Sequence, residues 1–508
     1  MIAALLFSTI AFVPLDDRPV TRQLPQLLGR IAGTPVVEPP IALLGNYLDF
    51  GKPDAIIAWL NGEPAKRAGH FVISSDMLAY GGLIASRVPQ TPYADAYFRL
   101  HSLQNLRRQH PAAWIGTFGT IMRLAPTGIP AVGRAQTFFA PYPIWSYLQE
   151  YANLHEPLLP SEQARAAQLR ALIGEPTLQG YLEARYRDYA VDDLLIRLTA
   201  SGAIDRLAIG QDDAGTVGLH VKDVRALQAS VAQAHLEDRV AIEPGADELG
   251  MAMVSSAIAR SIGWTPRVAV RYSMPGGAAA NDPLEYAPIE TAINGLIRLC
   301  GAVREDASPD IVLYVRVPKT DAQHDDALLA DLKEEERAGR SVAFADLSFL
   351  ENGFADQARF AELLLESGVA SKLDSYASWN TNANTVGTAV AEAVAAGAGR
   401  RAGTYSALAH AEFTFNRIVD DYAFHDYVRP QINAALTATG IADHTFLLSE
   451  QAAPIADLNR AALWNRAAAI LKQLYPAYHI AAIQITLPWN RTFETGIEVA
   501  LAPNLPNH

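Results

Sequence analysis

Ten short β-rich runs recur through the first four hundred residues: AFVPL, TPVVEPP, HFVISS, AWIGTFGTIM, RLAIG, RVAIEP, RVAVRYS, DIVLYVRV, SVAFADL and LDSYAS. Helix-like segments such as KDVRALQASVAQAHLED, LGMAMVSSAIARSIG, DDALLADLKEEERAGR and NTVGTAVAEAVAAGAG separate many of them. A strand that feeds a helix must return alongside itself, so this rhythm predicts parallel strands joined by right-handed crossovers. Near-continuous apolar strands point the same way, since a parallel sheet is covered on both faces. The predicted fold is therefore α/β, with parallel strands in a (β/α)8-barrel-like arrangement. Two doubly wound parallel-sheet domains are the alternative. TPVVEPP, with its three prolines, is the weakest run and reads as a loop or an edge.

Between about 126 and 202 there is no strong strand. That stretch reads as a helical insertion opening with the Pro- and aromatic-rich FFAPYPIWSYLQEY. Beyond Gly403 the rhythm turns helical, and AAIQITLPWNRTFETGIEVAL reads as a two-stranded antiparallel finish. The expected division is a parallel α/β domain over 1–400 and a mainly helical extension over 401–508. No sequence repeat stands out. At 508 residues the chain is long enough for two or three cores, or for one large barrel with an extension.

A net charge of −13 argues against a broad nucleic-acid footprint, which needs a basic face, but leaves room for a local basic pocket for an anionic ligand. The one cysteine, Cys300, excludes an internal disulfide and a cysteine zinc site, and its helical setting reads as core. The opening MIAALLFSTIAFV is apolar but too short to span a bilayer, and lacks a basic leader and a small-residue cleavage site. A cytoplasmic protein without membrane partners is the expectation.

The polar residues collect where strands end. Asp16, Asp17 and Arg18 follow AFVPL, Asp76 follows HFVISS, and Arg123 follows GTFGTIM. Gln211, Asp212 and Asp213 follow RLAIG; Glu243, Asp247 and Glu248 lie in and after RVAIEP; Trp379, Asn380, Asn382 and Asn384 follow LDSYAS. Parallel strands all end on one side, which is where ligands bind in open α/β sheets and barrels. Asp76, Asp247 and Asn384 are equally suited to capping helices, and Asp17–Arg18 to a structural ion pair. Arg87 and Arg401 read as surface or packing residues.

GQDDAG, residues 210–215, is the most chemical motif. Glycines bracket two adjacent carboxylates, and two such groups in one pocket cannot both ionise easily, so one becomes a general acid near neutral pH. In EPGADELG a helix N-terminus is expected to lower the carboxylates instead. The amides of SWNTNANTVG, with Trp379, suit a neutral, hydroxyl-rich ligand such as a sugar. LPWNRTFE repeats the pairing with Trp489 and Asn490 and adds Arg491 and Glu494. His410, Glu412, Asp420 and Asp421 form a possible metal group. There is no phosphate loop, no HExxH, no nucleophile elbow and no dinucleotide fingerprint.

Together VPLDDRPV, SSDMLAYGGLIASR, GQDDAG, EPGADELG and SWNTNANTVG resemble the bacterial family catalogued as domain of unknown function 4127, from about Ile10 to beyond Asn490. The resemblance departs at Thr21, where the first motif usually carries Asn. It implies little about activity. A looser likeness is to retaining N-acetylhexosaminidases whose substrate acetamido group is the nucleophile. It implies that Asp212 orients the acetamido group, that Asp213 protonates the leaving oxygen, and that Asn380 and Asn384 hold the sugar. The expected function is a carbohydrate-active hydrolase for amino-sugar glycosides. Asp16, Asp17, Arg18, Asp76, Arg123, Gln211, Asp247, Glu248, Trp379, Asn380, Asn384, Trp489 and Asn490 would bind its small or oligosaccharide substrate without a cofactor. One alternative is a divalent-cation hydrolase built on Asp16, Asp76, Asp213 and Asp247; another is a non-catalytic sugar-binding protein.

Overall fold

A computed structural model describes residues 8–63, 65–127, 144–352, 354–442 and 444–504. Its parallel strands divide into two open sheets. The first contains β1 (Ile10–Val13), β2 (Val36–Val37), β3 (His70–Ser74), β4 (Trp114–Ile121), β5 (Arg206–Gln211) and β6 (Val240–Pro244), in the order β2-β1-β3-β4-β5-β6. The second contains β7 (Arg267–Tyr272), β8 (Val303–Arg304), β9 (Ile311–Arg316), β10 (Ser341–Asp346) and β11 (Ser375–Ala377), in the order β11-β10-β9-β7-β8. Read from β2 and from β8, both sheets run second, first, third, fourth, fifth. This is the doubly wound order whose ligands sit at the switch point between first and third strands. The architecture is thus repeated where the sequence shows no repeat.

All ten expected runs are strands, and TPVVEPP supplies a two-residue edge strand, as its prolines suggest. Only β8, two residues long, went unread. The barrel-like closure expected from the strand count is replaced by two sheets with free edges. The reason lies between them. One hydrophobic core takes Ile10, Phe12, Val72 and Phe118 from the first sheet and Val268, Leu313, Val315, Ala343 and Ala345 from the second. The helices Leu249–Ser261, Ile289–Leu299 and Asn382–Ala402 fill the space between. The last helix is buried on all sides; Ala389, Val390, Ala391, Ala393, Val394, Ala395, Ala396 and Ala398 are fully enclosed. Small side chains let it lie against both the Leu249–Ser261 helix and strands β10 and β11. A barrel has no room for such a helical layer.

Alternation along each strand serves two cores. Ile10 and Phe12 face the shared layer while Ala11 and Val13 face the outer one, and β9 divides likewise, with Val312 and Tyr314 outward. Cys300 is buried in the shared layer, and burial pushes its thiol up to about 12. The insertion is helical where it is described, over Ile144–Ala152, Gln163–Ile173 and Glu175–Ala200; residues 138–143 of its aromatic opening lie outside the described residues, as do 1–7 of the apolar N-terminus. β1 begins at Ile10, inside that apolar run, and pairs with β2 and β3. The chain closes with helices over 407–474 and the antiparallel hairpin β12 (Tyr478–Thr486) and β13 (Gly496–Pro503). Among the described residues no helix is long and apolar enough to cross a membrane.

Candidate functional site

A cavity of about 920 Å³ opens at the carboxyl ends of the strands. Its walls come from the segments after β1 (Arg18), β3 (Leu83, Arg87), β4 (Arg123), β5 (Gln211, Asp212, Asp213), β6 (Gly245, Asp247) and β11 (Asn380, Asn384). The hairpin β12–β13 contributes Trp489, Arg491 and Phe493 from its turn. Both sheets therefore feed one cleft. Its size is that of a small-molecule site, roughly 300–1,000 Å³.

Arg18 is the keystone of its frame. Its Nη1 and Nη2 donate to the two carboxylate oxygens of Asp247 at 2.9 and 2.6 Å, and its Nε and Nη2 donate to Asp16 at 3.0 and 2.7 Å. Burial alone would raise Asp247, but the charge and hydrogen bonds of Arg18 outweigh it and hold the carboxyl below its ordinary range. Asp16 is 1 % exposed and lies behind Arg18, outside the cavity lining. Asp17 is not in the ion pair: it accepts from Trp489 Nε1 at 2.7 Å and from Asn46 Nδ2 at 2.8 Å.

The GQDDAG pair is split by its surroundings. Asp212 is salt-bridged to Arg87, while Asp213 takes only a 3.3 Å hydrogen bond from Arg123 Nη1. Burial raises the Asp213 carboxyl above its usual range, and the neighbouring Asp212 charge adds to the rise. Asp213 also has a φ of +20°. Gly210 is required for a different reason from turn geometry: a Cβ there would lie 2.1 Å from the carbonyl oxygen of Gly245, so β5 and the β6 loop touch backbone to backbone. Gln211 lines the cleft with its amide nitrogen donating to the Asp212 carbonyl at 2.8 Å and its Oε1 enclosed without a hydrogen-bond partner. Asp76 lies beneath, outside the lining, accepting from Thr120 Oγ1 at 3.0 Å; burial, with Asp188 close by, raises it well above an ordinary carboxyl.

Across the cleft, Asn380 Nδ2 donates to Asn384 Oδ1 at 2.6 Å, and Asn384 Nδ2 donates to Glu248 Oε2 at 2.6 Å. Glu248 is fully buried. Burial pushes its carboxyl up to about 8, overriding the lowering that its place at a helix N-terminus predicts. Glu285 lines the cavity too, accepting from Asn382 Nδ2 at 2.9 Å and from the Ala383 backbone nitrogen at 2.5 Å; burial brings it to about 8 as well. Trp379 is core: its Nε1 donates to Thr388 at 3.1 Å, and it does not line the cavity. Trp489 reaches the cavity but is not a free stacking platform, because Arg18 and Arg491 each lie 4.6 Å from its ring centre and Tyr47 stacks at 5.1 Å. Asn490 adjoins it, outside the lining.

Backbone strain converges on the same place. Of seven non-glycine residues with positive φ among those described, Tyr47, Asp213, Asn380 and Trp489 line this cavity and Asn490 adjoins it. Such conformations persist only where surrounding structure enforces them, and they cluster at binding and catalytic sites. A second cavity, about 1280 Å³, joins the free edges β6 and β8 and holds Glu243, bonded by Arg298 at 2.9 Å. None of the seven strained residues lines it.

Arg87, read from the sequence as surface or packing, is 8 % exposed and holds Asp212. Its place at the end of SSDMLAYGGLIASR, after a strand, was the available signal. Tyr47, Trp145, Glu285 and Phe493 also line the cleft and follow no strand directly, so the strand-end rule passes over them. Among the described residues no group of three or more His, Cys, Asp or Glu side chains is placed to hold a cation. Asp16 and Asp247 are bound to Arg18 instead. His410 bonds Tyr405 and the Asp374 carbonyl, Glu412 bonds Arg30, and Asp420 and Asp421 pair with Arg417, so that second group does not converge either.

The model of the family described as "Protein of unknown function (DUF4127)" matches residues 10–498. The chain belongs to that family. No curated protein and no solved structure matches it. Since the family match covers both sheets and the turn of the hairpin, every cavity-lining residue named here falls inside it.

Proposed function

We propose that the protein is a glycoside hydrolase acting on N-acetylhexosaminides, with Asp213 as general acid and Asp212 orienting the substrate's acetamido group. The observation that carries the reading is the unequal pair: Asp212 clamped by Arg87, and Asp213 beside it on a strained backbone, loosely held and open to the cleft. In this reaction the acetamido oxygen bonds to the anomeric carbon as the glycosidic C–O bond breaks. The Asp213 proton goes to the leaving oxygen. Water then opens the cyclic intermediate, returning its proton to Asp213. The amides of Asn380, Asn384 and Gln211 supply hydroxyl partners.

A panel of aryl glycosides, assayed with and without chelator beside Asp212→Asn and Asp213→Asn, tests it. Cleavage of N-acetylhexosaminides that is chelator-resistant and falls by roughly 100-fold or more in either variant is expected. Unchanged activity in both variants would refute the assignment, and chelator-sensitive activity would favour the divalent-cation alternative. A panel wholly uncleaved, with sugars still raising the melting temperature, would favour the binding-only alternative.

A further inference from the structure

The chain carries a net charge of −13, yet four arginines line its strained cleft: Arg18, Arg87, Arg123 and Arg491. They are not equally occupied. Arg18 is saturated by Asp16 and Asp247, and Arg87 faces Asp212 in a salt bridge. Arg123 has only its 3.3 Å hydrogen bond to Asp213 and one to the Ala125 carbonyl at 2.9 Å. Arg491 donates through Nη2 to Glu494 at 2.9 Å, while its Nε is enclosed with no hydrogen-bond partner. Its guanidinium is packed among aromatic rings, 4.6 Å from the centre of Trp489, 4.7 Å from Phe493 and 5.7 Å from Tyr47. A guanidinium clamped in this way loses little freedom on meeting an oxyanion.

We propose that the ligand carries an oxyanion, carboxylate or phosphate, that docks between Arg491 and Arg123. Stated as a substrate, and resting on the glycoside reading above, this is an acidic amino sugar. Three observations agree. The guanidinium of Arg491 is held by rings on the cavity wall, and with Nη2 bonded to Glu494 and Nε enclosed, Nη1 is the donor left for a ligand. Tyr47, 5.7 Å from Arg491, lines the same cavity as both arginines. Of the acidic groups nearby, Asp212 and Asp247 are engaged by Arg87 and Arg18, and burial raises both Asp213 and Glu285, which leaves Glu494, bonded to Arg491 through Nη2, as the carboxylate facing the pair.

Calorimetric titration of the full chain separates the possibilities. The probes are N-acetylglucosamine, N-acetylmuramic acid as its carboxylate-bearing counterpart, N-acetylglucosamine 6-phosphate, and inorganic phosphate. One acidic sugar should bind roughly tenfold or more tightly than the neutral one at low salt, as a charged hydrogen bond commands. The preference should shrink with added salt and vanish in Arg491→Gln and in Arg123→Gln. Arg491→Lys should restore part of it. Which acidic sugar is preferred identifies the anion. Equal affinity for neutral and acidic sugars overturns the anion site and leaves the glycoside reading standing. Phosphate binding that is lost in Arg491→Gln, with no sugar bound, supports the anion site and overturns the glycoside reading. Silence from every probe overturns both.

Discussion

Replacing Arg18 by methionine tests the electrostatic frame of the cleft. The change keeps an apolar stem against Trp489 but strands Asp16 and Asp247, which are 1 % and 8 % exposed. Glu494, 3.9 Å from Arg18 and 3 % exposed, loses its partner as well, although Arg491 still bonds it. Removing one partner of a buried ion pair costs about 3–5 kcal/mol, because the remaining charge is left without water or counterion. Unfolding entropy near 2.1 cal/mol/K per residue gives about 1 kcal/mol/K for a chain of this length, if it melts as one unit. The expected loss is therefore about 3–5 °C in Tm.

Its pH dependence is equally defined. Arg18 lowers the folded-state pKa of Asp247, so the pair contributes stability that is present above the unfolded carboxyl pKa, about 4, and is lost as pH falls through the lower folded value. In Arg18→Met the stranded carboxylates instead take up protons more readily than in the unfolded chain, so acid relieves the variant first. Differential scanning calorimetry at matched ionic strength should show the full gap at pH 7.5 and a clearly smaller one at pH 4.5. Asp247→Asn in the Arg18→Met background should recover part of the loss. A gap below about 1 °C at pH 7.5, or one of the same size at both pH values, or further loss on adding Asp247→Asn, would refute the reasoning.

Glu248→Gln should melt close to the parent at pH 5 but above it at pH 9. The raised pKa of about 8 means the folded state holds this proton, and stability declines as pH climbs from the unfolded value to the folded one; a parallel decline in both proteins would count against it. Gly210→Ala places a Cβ 2.1 Å from the Gly245 carbonyl oxygen, forcing β5 and the β6 loop apart. A loss of about 1–3 kcal/mol in denaturant titration is expected, with weakened ligand binding, whereas unchanged Cm and affinity would show that the two backbones have room.

The central strands were legible because strands such as β4 and β9 are buried on both faces and must read as apolar runs. The helical stretches between them were legible from composition and turn signals. What could not be read from strand count alone was closure. The discriminating feature was present in NTVGTAVAEAVAAGAG, which is built of small residues and holds a single charged side chain, Glu392. A helix with so little charge has no face suited to water and is enclosed by protein, whereas the outer helices of a barrel keep one charged face in water. That single segment favours a helix between two sheets over a ring of helices outside one.

At the site, strand-end reasoning succeeds wherever the backbone itself delivers the residue. Gln211, Asp212 and Asp213 sit at the end of β5, so the direction of a parallel strand is enough to place them. It fails where pairing decides the outcome. Asp16, Asp17 and Asp76 also follow strands, yet Arg18, Trp489 and Thr120 claim their oxygens and turn them away from the cleft. Those partners are chosen by tertiary contacts, some of them hundreds of residues distant: Trp489 Nε1 reaches Asp17 across 472 positions of sequence. An arginine such as Arg87 is ambiguous for the same reason, since the residue that makes it a site component, Asp212, lies on another strand's end. A sequence states which polar groups reach the rim of a parallel sheet, and the folded partners decide which of them remain available to a ligand.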